Sequence, residues 1–382
     1  MTPAARAQAA ITILDQILAG DPAEAALLRW SRASRFAGSG DRAAIRDLVF
    51  DSLRRRRSRA ALGGALTGRG LILGMCREDG ADPVSIFSGI GHAPAALDDA
   101  ELAQARAPSE AEAFDLPDWV IPLWRESLGN DAAAIAAAMR DRAPVWLRAN
   151  ALRATPQQAI EALAQDGIAA EASPDLPTAL LVMQGGRRLS ASRAYLEGLV
   201  ELQDLSPQLA CAALPQARKV LDYCAGGGGK SLAIAAQGGV EVTAHDANPA
   251  RMSDLPRRAE RAGARIRLAR PGQLRGSFDL VVTDVPCSGS GTWRRTPDAK
   301  WRLDPKGLDG LTELQARILD EASHLVAPGG HLAYMTCSVL DAENMRQING
   351  FLNRSDFCLV SHRLFTPLDA SDGFFLAILR RN

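Results

Sequence analysis

Two cysteines, each followed by a serine, come just after hydrophobic segments with the pattern of buried strands. Cys287 follows the segment 278–283 (FDLVVT) and the acid Asp284, and Cys337 follows the segment 331–335 (HLAYM). If the two strands are neighbours in a parallel sheet, both thiols face one cleft at the carboxyl ends of the strands. A single cysteine after a strand is usually inert packing, but two in matching contexts indicate chemistry.

C5 methylation of a pyrimidine is a reaction that needs this set of groups. C5 of cytosine is too weakly nucleophilic to attack a sulfonium methyl group unaided, and a thiolate that adds at C6 turns the ring into an enamine whose C5 can attack. A carboxyl group near N3 and the exocyclic amine, such as that of Asp284, would stabilise the charge that arrives on the ring. The C5 proton must then leave before the first thiol is eliminated, and a second thiol nearby could assist that release.

A glycine-rich turn at residues 222–231 (DYCAGGGGKS) predicts a nucleoside-binding site after the strand 219–223. A P-loop would need glycine at Cys224 and a dinucleotide-binding turn would need glycine at Ser231, so neither reading fits. A turn for a smaller nucleoside ligand remains. Asp246, which ends the next strand, would accept hydrogen bonds from ribose hydroxyls. The alternative is that Asp246 caps the helix that begins at Pro249.

The elements that must position these groups alternate regularly in the last part of the chain. Strand and helix patterns predict a doubly wound α/β sheet with ligands at the carboxyl ends of its strands. Before it, apolar residues at helical spacing predict a helical bundle, followed by a small α/β subdomain. The expected domains are 1–135, 140–205 and 206–382. The expected strands of the sheet are 219–223, 240–245, 266–269, 278–283 and 331–335, with two late β patterns near Cys358 and at 374–379.

Composition excludes several classes of protein. The chain has 382 residues, a formal net charge of zero and six scattered cysteines without a C-x-x-C pair, so neither a disulfide framework nor a zinc ribbon is indicated. The five histidines show no spacing typical of metal ligands, so we expect no metal. A zinc cytidine deaminase is excluded because its H-x-E and P-C-x-x-C motifs are absent. No leader-like or membrane-spanning segment is predicted, and a cytoplasmic protein is expected.

Two groups of basic residues are candidates for RNA contact. The first is an arginine run over residues 54–59, at the end of a helix predicted to begin with Asp41 as its N-cap. This run either meets phosphates or forms a solvated helix end whose cations suit the helix dipole. The second group follows Cys287, where cations and an indole could hold phosphates and stack a base, although plain packing explains the tryptophan equally well. This group comprises Arg294, Arg295, Lys300, Trp301 and Arg302.

Together the motifs resemble the RNA cytosine-C5 methyltransferase family, which includes the bacterial small-subunit rRNA enzyme called Sun or Fmu and the eukaryotic Nop2 and NSUN proteins. Residues 222–230 are similar to the family's D-x-C-A-x-P-G-G-K loop, and residues 284–288 (DVPCS) to its D-A-P-C-S. Residues 334–338 (YMTCS) with 343–344 (EN) are similar to its Y-x-T-C-S and E-N. Further hallmarks are Gly198, Gln203, Asp204, Ser206 and the ending 372–375 (DGFF).

The resemblance implies a class I S-adenosylmethionine methyltransferase domain, preceded by a helical NusB-like RNA-binding domain and a small α/β subdomain. It implies Cys337 as the nucleophile, Cys287 as the residue that helps release the product, and Asp284 as an active-site contact. The substrate would be RNA, with rRNA preferred and tRNA as the alternative, and the NusB-like match favours RNA contact for the arginine run. The implied cofactor-binding residues are Cys224, Ala225, Gly226, Gly227, Gly228, Gly229, Lys230, Asp246 and Asp284.

Three departures from the family pattern bear on these expectations. Gly227 stands where the family usually has proline, which predicts a loop that loses more entropy on binding. Val285 replaces alanine, a small change in bulk, and residues 268–271 (LARP) lack the acid that commonly follows the third strand. We therefore expect weakened or rearranged cofactor contact there. A non-catalytic RNA-binding or ribosome-assembly factor that retains the methyltransferase fold is the alternative function.

Overall fold

The computed structural model describes residues 1–103 and 105–382, which form two compact units. The first unit comprises Met1–Arg142 and Trp293–Asp304, and the second comprises Ala143–Thr292 and Pro305–Asn382. Both sheets lie in the second unit. This division therefore does not test the domain boundary expected near residue 205, which stays a prediction. No helix in the described ranges is both long and apolar enough to cross a membrane.

The first unit is helical, as its 3.6-residue periodicity predicts. Its core contains fully buried aliphatic side chains such as Ile13, Leu14 and Ile45. Its N-terminal helices are α1 (Pro3–Leu18), α2 (Ala23–Ala33), α3 (Ser39–Arg54), α4 (Arg56–Gly63), α5 (Gly68–Glu78), α6 (Asp99–Ala103), α7 (Glu110–Ala113), α8 (Val120–Leu128) and α9 (Ala132–Ala138), with 3₁₀ turns at Pro83–Ser85 and Gly129–Asp131.

The N-cap predicted for α3 is wrong. The helix begins at Ser39 after Gly38, and Asp41 lies in the first turn, where its carboxylate accepts a hydrogen bond from Arg6 Nε at 2.8 Å. That ion pair lowers the pKa of Asp41, since a nearby guanidinium favours the ionised carboxyl group. Asp41 therefore links α1 to α3 instead of capping a helix.

The arginine run at 54–59 is not a solvated helix end, because its members are largely engaged within the helical unit; RNA contact by this run stays a prediction. Arg54 is buried and its Nε donates to the carbonyl of Arg294 at 2.7 Å. Arg59 is 2% exposed and binds Glu78 at 2.9 Å, so its charge is neutralised internally. Arg55 forms ion pairs with Glu78 and with Asp141, each at 2.9 Å.

Residues 293–304, which include the short helix α15 (Ala299–Arg302), fold with the helical unit. Trp293 stacks on Trp124 with ring centroids 6.2 Å apart, and Lys300 Nζ donates to the carbonyl of Arg54 at 3.1 Å. Burial lowers the pKa of Lys300 to about 8. The expectation that Lys300 holds phosphates is therefore wrong. Trp301 donates to the carbonyl of Leu53 at 3.0 Å, which supports the packing alternative for this indole.

A four-stranded antiparallel sheet opens the second unit, in the order β2-β3-β1-β4. This sheet belongs to the predicted small α/β subdomain, and its strand β2 is short and mostly exposed. Its elements are β1 (Trp146–Ala149), α10 (Pro156–Gln165), β2 (Ala169–Ala172), β3 (Ala179–Gln184), a 3₁₀ segment at Gly186–Ala191, α11 (Arg193–Leu196) and β4 (Val200–Leu202).

A seven-stranded sheet in the order β10-β11-β9-β8-β5-β6-β7 forms the rest of the unit and confirms the predicted α/β class. Strands β5 to β9 are parallel, whereas β10 and β11 add an antiparallel edge. The helices are α12 (Leu205–Ala212), α13 (Gly229–Ala235), α14 (Leu255–Ala262), α16 (Pro305–Ser323) and α17 (Met345–Leu352). The strands are β5 (Lys219–Asp222), β6 (Glu241–His245), β7 (Ile266–Ala269), β8 (Phe278–Asp284), β9 (Val326–Thr336), β10 (Phe357–Phe365) and β11 (Phe374–Arg381).

Two glycines pack backbone against backbone beyond the carboxyl ends of the parallel strands. Gly373 N donates to the carbonyl of Gly291 at 2.8 Å, and a Cβ atom on Gly291 would lie 2.1 Å from the Gly373 oxygen. We predict that Gly291→Ala lowers the free energy of unfolding by about 2 to 3 kcal/mol, because the backbone must shift to relieve the overlap. Gly310→Ala is the control, since a Cβ there meets nothing within 4 Å and alanine favours the helix. Urea denaturation should separate them, and equal stability of the two variants would contradict this packing.

Candidate active site

The two cysteines predicted from their contexts lie in contact. Strands β8 and β9 are adjacent and parallel, with Asp284 opposite Met335, so the loops that follow them meet at one edge of the sheet. Cys287 Sγ and Cys337 Sγ are 3.3 Å apart. This distance confirms that the two thiols lie together beyond neighbouring strands, and all six cysteines of the chain are free.

Glu343 holds the two cysteine loops together. It is fully buried, and its Oε1 accepts from the backbone N–H of Ser288 at 2.7 Å while its Oε2 accepts from the Ser338 hydroxyl at 2.5 Å. The side-chain amide of Gln315 donates to Oε1 at 3.1 Å. Because Ser288 and Ser338 each follow one cysteine, a single carboxylate sets the separation of the two thiols. The sequence showed this glutamate only as part of a motif, without its partners.

Hydrogen bonding between the thiols makes them chemically unequal. Either sulfur can donate in this contact; with Cys287 as the donor, the hydrogen bond lowers the pKa of Cys337, and the nearby Lys230 ammonium acts in the same direction. The same hydrogen bond and burial raise the pKa of Cys287 well above that of a free thiol. Cys337 is therefore the thiol that ionises first, and a thiolate is the nucleophilic form.

This inequality predicts the pH dependence of alkylation at Cys337. In Cys287→Ala the donated hydrogen bond is lost, so the pKa of Cys337 should rise and its alkylation by iodoacetamide should need a higher pH. Iodoacetamide labelling of wild type and variant across a pH series, read by mass spectrometry of the Cys337 peptide, measures the shift. An unchanged or downward-shifted midpoint in the variant would contradict the hydrogen-bond assignment.

Asp284 and Lys230 form an ion pair at the same edge. Lys230 Nζ lies 2.5 Å from Asp284 Oδ2 and 5.1 Å from the ring centroid of Phe374. Burial alone would lower the pKa of Lys230, but the Asp284 carboxylate outweighs it and the net shift is upward. The lysine therefore stays charged and keeps the carboxyl oxygen of Asp284 oriented beside the cysteines.

The glycine-rich turn connects β5 to α13 at this edge, as predicted. Gly228 has φ +80°, and a Cβ there would lie 2.2 Å from Leu255, so only glycine fits without a shift of the leucine. Asp246 ends β6, and its carboxylate accepts from the backbone N–H of Gly226 at 2.9 Å. The side chain of Asn248 accepts from the backbone N–H of Ala250 and so caps the turn that begins at Pro249. The capping alternative for Asp246 is therefore wrong.

Gly227, which departs from the family pattern, is held by a group the sequence did not reveal. The guanidinium of Arg258 donates to the Gly227 carbonyl. Glu201, which is 2% exposed, pairs with Arg258 at 3.0 Å and also with Arg261. An ion pair therefore restrains the backbone where a proline ring would otherwise do so, which reduces the entropy that the loop loses on binding.

Asp222 lies beneath the turn and is almost fully buried. Its Oδ2 accepts from the Ser231 hydroxyl at 2.6 Å, while its Oδ1 has no partner within the described part of the chain. Burial raises the pKa of Asp222 to about 6. A buried carboxyl oxygen without a partner costs free energy, which indicates that a donor from outside the chain completes the site.

The hallmark residues Asp204 and Ser206 fasten the loop before β11. Asp204 accepts from the Ser371 hydroxyl at 2.8 Å and from the Asp372 backbone at 3.2 Å, and the Ser206 hydroxyl donates to the Asp372 carbonyl at 2.6 Å. This loop ends in Gly373, which packs on the segment after Cys287. These residues thus support the cysteine loops from the side of β11.

Among residues 1–103 and 105–382, no group of three or more histidine, cysteine, aspartate or glutamate side chains is arranged to hold a metal ion.

Comparisons with known proteins agree on one family. The profile described as 16S rRNA methyltransferase RsmB/F matches residues 211–380, and that of the RsmF/B-like ferredoxin-like domain matches residues 116–187. The chain is 33% identical to ribosomal RNA small subunit methyltransferase B of Salmonella arizonae and 32% identical to that of Vibrio cholerae. These matches cover 72% and 74% of this chain and 68% and 69% of the relatives. About a third of each relative therefore lies outside the match. The crystal structure of PH0851 has the same fold over 100% of this chain and 99% of that one, with a TM-score of 0.76 at 21% identity.

Proposed function

Because this chain belongs to the 16S rRNA methyltransferase RsmB/F family, we propose that it transfers a methyl group from S-adenosylmethionine to C5 of a cytosine in 16S rRNA. The observation that carries this reaction is the 3.3 Å contact between Cys287 and Cys337. Methyl transfer to an amine or a hydroxyl needs no thiol, whereas transfer to C5 needs one thiol to activate the ring and gains from a second.

The residues of the glycine-rich turn fit S-adenosylmethionine, which would supply an electrophilic methyl group. A Cβ on Gly229 would meet nothing within 4 Å, so space is open where α13 begins. The buried Asp222 Oδ1 lacks a donor, and Asp246 ends β6 where ribose hydroxyls could donate to its remaining lone pairs. Gly226 to Lys230 would line the ligand with backbone, and Cys224 and Ala225 lie in the same turn. We propose these residues as the cofactor site.

Cys337 performs the first step of the proposed reaction. Its thiolate forms a bond to C6 of cytosine, and the electron pair of the C5–C6 double bond moves into the ring. Negative charge develops at N3 and must be met by a proton; the Lys230–Asp284 pair, whose Nζ and Oδ2 atoms are 2.5 Å apart, would contact N3 and the exocyclic amine and deliver that proton. C5 then becomes nucleophilic enough to accept the methyl group.

Cys287 acts in the second half of the reaction. After methyl transfer, C5 carries both a hydrogen and the new methyl group, and the S–C6 bond breaks only as the C5 proton leaves. The Cys287 sulfur lies within 3.3 Å of the sulfur that must depart; as a thiolate, with its own proton released to water, it takes up the C5 proton and becomes a thiol again. Removal of the proton restores the C5–C6 double bond and returns Cys337 as a thiolate.

A non-catalytic assembly factor with the same fold is the alternative. Two observations favour the enzyme: the thiols are placed by a dedicated carboxylate, Glu343, and the Lys230–Asp284 pair is intact. The replacement of proline by Gly227 favoured the alternative in the sequence, but Arg258 restrains this residue. Cofactor binding without methyl transfer to any RNA would support the assembly factor.

Nucleoside analysis tests the proposed function. The protein is incubated with methyl-labelled S-adenosylmethionine and unmodified, protein-free 16S rRNA, and the RNA is digested to nucleosides. We expect the label to co-elute with 5-methylcytidine and to be absent with Cys337→Ala. Label in another nucleoside, or none with the wild-type protein on either free rRNA or small subunits, would contradict the proposal.

A further inference from the structure

The strongest unpaired positive charge of the second unit lies on α14, β7 and the residue that follows β7. Residues 251–275 contain eight arginines and two acids, a net charge of +6 in a chain whose total formal charge is zero. Arg258 and Arg261 are paired with Glu201, and Arg251 is paired with Asp246. The remaining cations must be explained by something other than these contacts.

Four of these arginines, Arg257, Arg265, Arg267 and Arg270, are exposed, and we name them the α14–β7 arginine face. Within the described ranges none of the four has a carboxylate oxygen within 4.0 Å or a side-chain hydrogen bond. Of the arginines at 54–59, which the sequence offered as the RNA contact, Arg54, Arg55 and Arg59 are instead bound to carboxylates and carbonyls of their own unit. Free guanidinium groups are therefore concentrated on a different surface from the one expected.

The four side chains belong to one surface. Arg265 directly precedes β7, and Arg267 lies on this outer strand. Both line a groove of about 870 Å³ whose other wall includes Pro256 and Glu260 of α14, next to Arg257. Arg270 directly follows the carboxyl end of β7.

Protection of an edge strand does not account for this face. Charged residues on an outer strand hinder unwanted pairing with other chains, and Arg265 and Arg267 would serve that purpose. Arg257 lies on a helix and Arg270 lies beyond the strand, so neither blocks strand pairing. An excess of unpaired arginine on a neutral chain is instead the electrostatic footprint of a polyanion.

The face is also well placed for a substrate of the proposed reaction. Strands β7, β8 and β9 are parallel, so Arg270 lies at the same sheet edge as Cys287 and Cys337. Three strand spacings separate β7 from β8, or about 14 Å, a distance that a few nucleotides of extended RNA can span. The face adjoins the glycine-rich turn, because Arg258 of α14 contacts Gly227.

We propose that the α14–β7 arginine face binds the phosphate backbone of the RNA substrate on the side of the target cytosine where the glycine-rich turn lies. This inference rests on the proposed function for the identity of the RNA. The face would contribute affinity for RNA but no sequence specificity, because phosphate contacts position a nucleic acid and carry no base information.

Filter binding of protein-free 16S rRNA between 50 and 200 mM KCl tests the assignment. In a variant with all four arginines changed to glutamine (Arg257→Gln, Arg265→Gln, Arg267→Gln, Arg270→Gln), we expect affinity to fall by ~30-fold or more and the salt slope to lessen by about 3. The corresponding four lysine substitutions should restore most of the affinity, since a charge is sufficient for a phosphate contact. The melting temperature and the circular dichroism spectrum show whether the variants are folded.

A matched control removes the same charge elsewhere. Lys219, Arg317, Arg363 and Arg380 are exposed cations of the same unit, and their joint change to glutamine should reduce affinity much less. Equal losses of RNA affinity in the face variant and the control variant would overturn the assignment. Wild-type affinity and salt slope in the face variant would also overturn it, and would leave an acidic protein as the partner of this face. If 5-methylcytidine still forms in 16S rRNA, only this surface is refuted. If the wild-type protein neither binds nor methylates RNA, the proposed function fails with it.

Discussion

Cys287→Ala is expected to leave the protein covalently attached to its RNA. The variant keeps the Cys337 nucleophile but lacks the sulfur 3.3 Å away that assists removal of the C5 proton, so the adduct forms and is released slowly. After incubation with S-adenosylmethionine and total RNA, we expect a denaturing gel to show at least ten times more RNA-linked protein for the variant than for wild type. This corresponds to a barrier to adduct release that is higher by about 1.4 kcal/mol or more. Sequencing of the trapped RNA names the target cytosine.

The double variant Cys287→Ala/Cys337→Ala is the control for this trap. It should give no adduct, because the attacking sulfur is gone. A retained adduct in the double variant would show that another residue attacks. If the single variant gives no adduct while the wild-type protein methylates RNA, the assignment of the two cysteine roles is wrong.

Cys337→Ala is expected to abolish methyl transfer, with a loss of about 10⁴-fold or more, because no other group can add to C6. Affinity for S-adenosylmethionine should be unchanged, since the proposed cofactor site uses the turn after β5 and Asp246. Single-turnover methylation and calorimetry measure the two quantities. Cys358→Ala is the matched control, because Cys358 is exposed on β10, and it should keep wild-type activity.

A residual rate in Cys337→Ala within tenfold of wild type would mean that C6 addition is not part of the reaction. Loss of cofactor binding together with activity would instead indicate that the substitution disturbs the loop held by Glu343. The two readouts therefore separate a chemical role of Cys337 from a structural one.

The sheet and the pairing of the two cysteines were predictable because their determinants are local. The segments before Cys287 and Cys337 are short hydrophobic strands followed by matching residues, and parallel strands bring such ends to one edge. The turn was predictable for the same reason, since its glycines are consecutive in sequence. Asp246 was assigned correctly to the end of a strand, and the structure places it against Gly226.

What the sequence did not reveal depends on contacts between distant residues. Arg54 was a candidate RNA contact in the sequence, but its Nε donates to the carbonyl of Arg294, 240 positions away. Lys300 was a candidate phosphate contact, but residues 293–304 fold with the helical unit and Lys300 is buried there. No pattern in the sequence predicts the Glu201–Arg258 ion pair that restrains Gly227. In each case the charged group is held by contacts of the tertiary structure, which sequence periodicity does not report.

Release of tritium from RNA that carries [5-³H]cytosine tests the central claim most directly, because methylation at C5 must expel the hydrogen at that atom. With wild-type protein and S-adenosylmethionine, the account predicts one tritium released to water for each methyl group transferred, and none with Cys337→Ala. Methyl transfer to 16S rRNA without tritium release would place the methyl group on another atom and contradict the account.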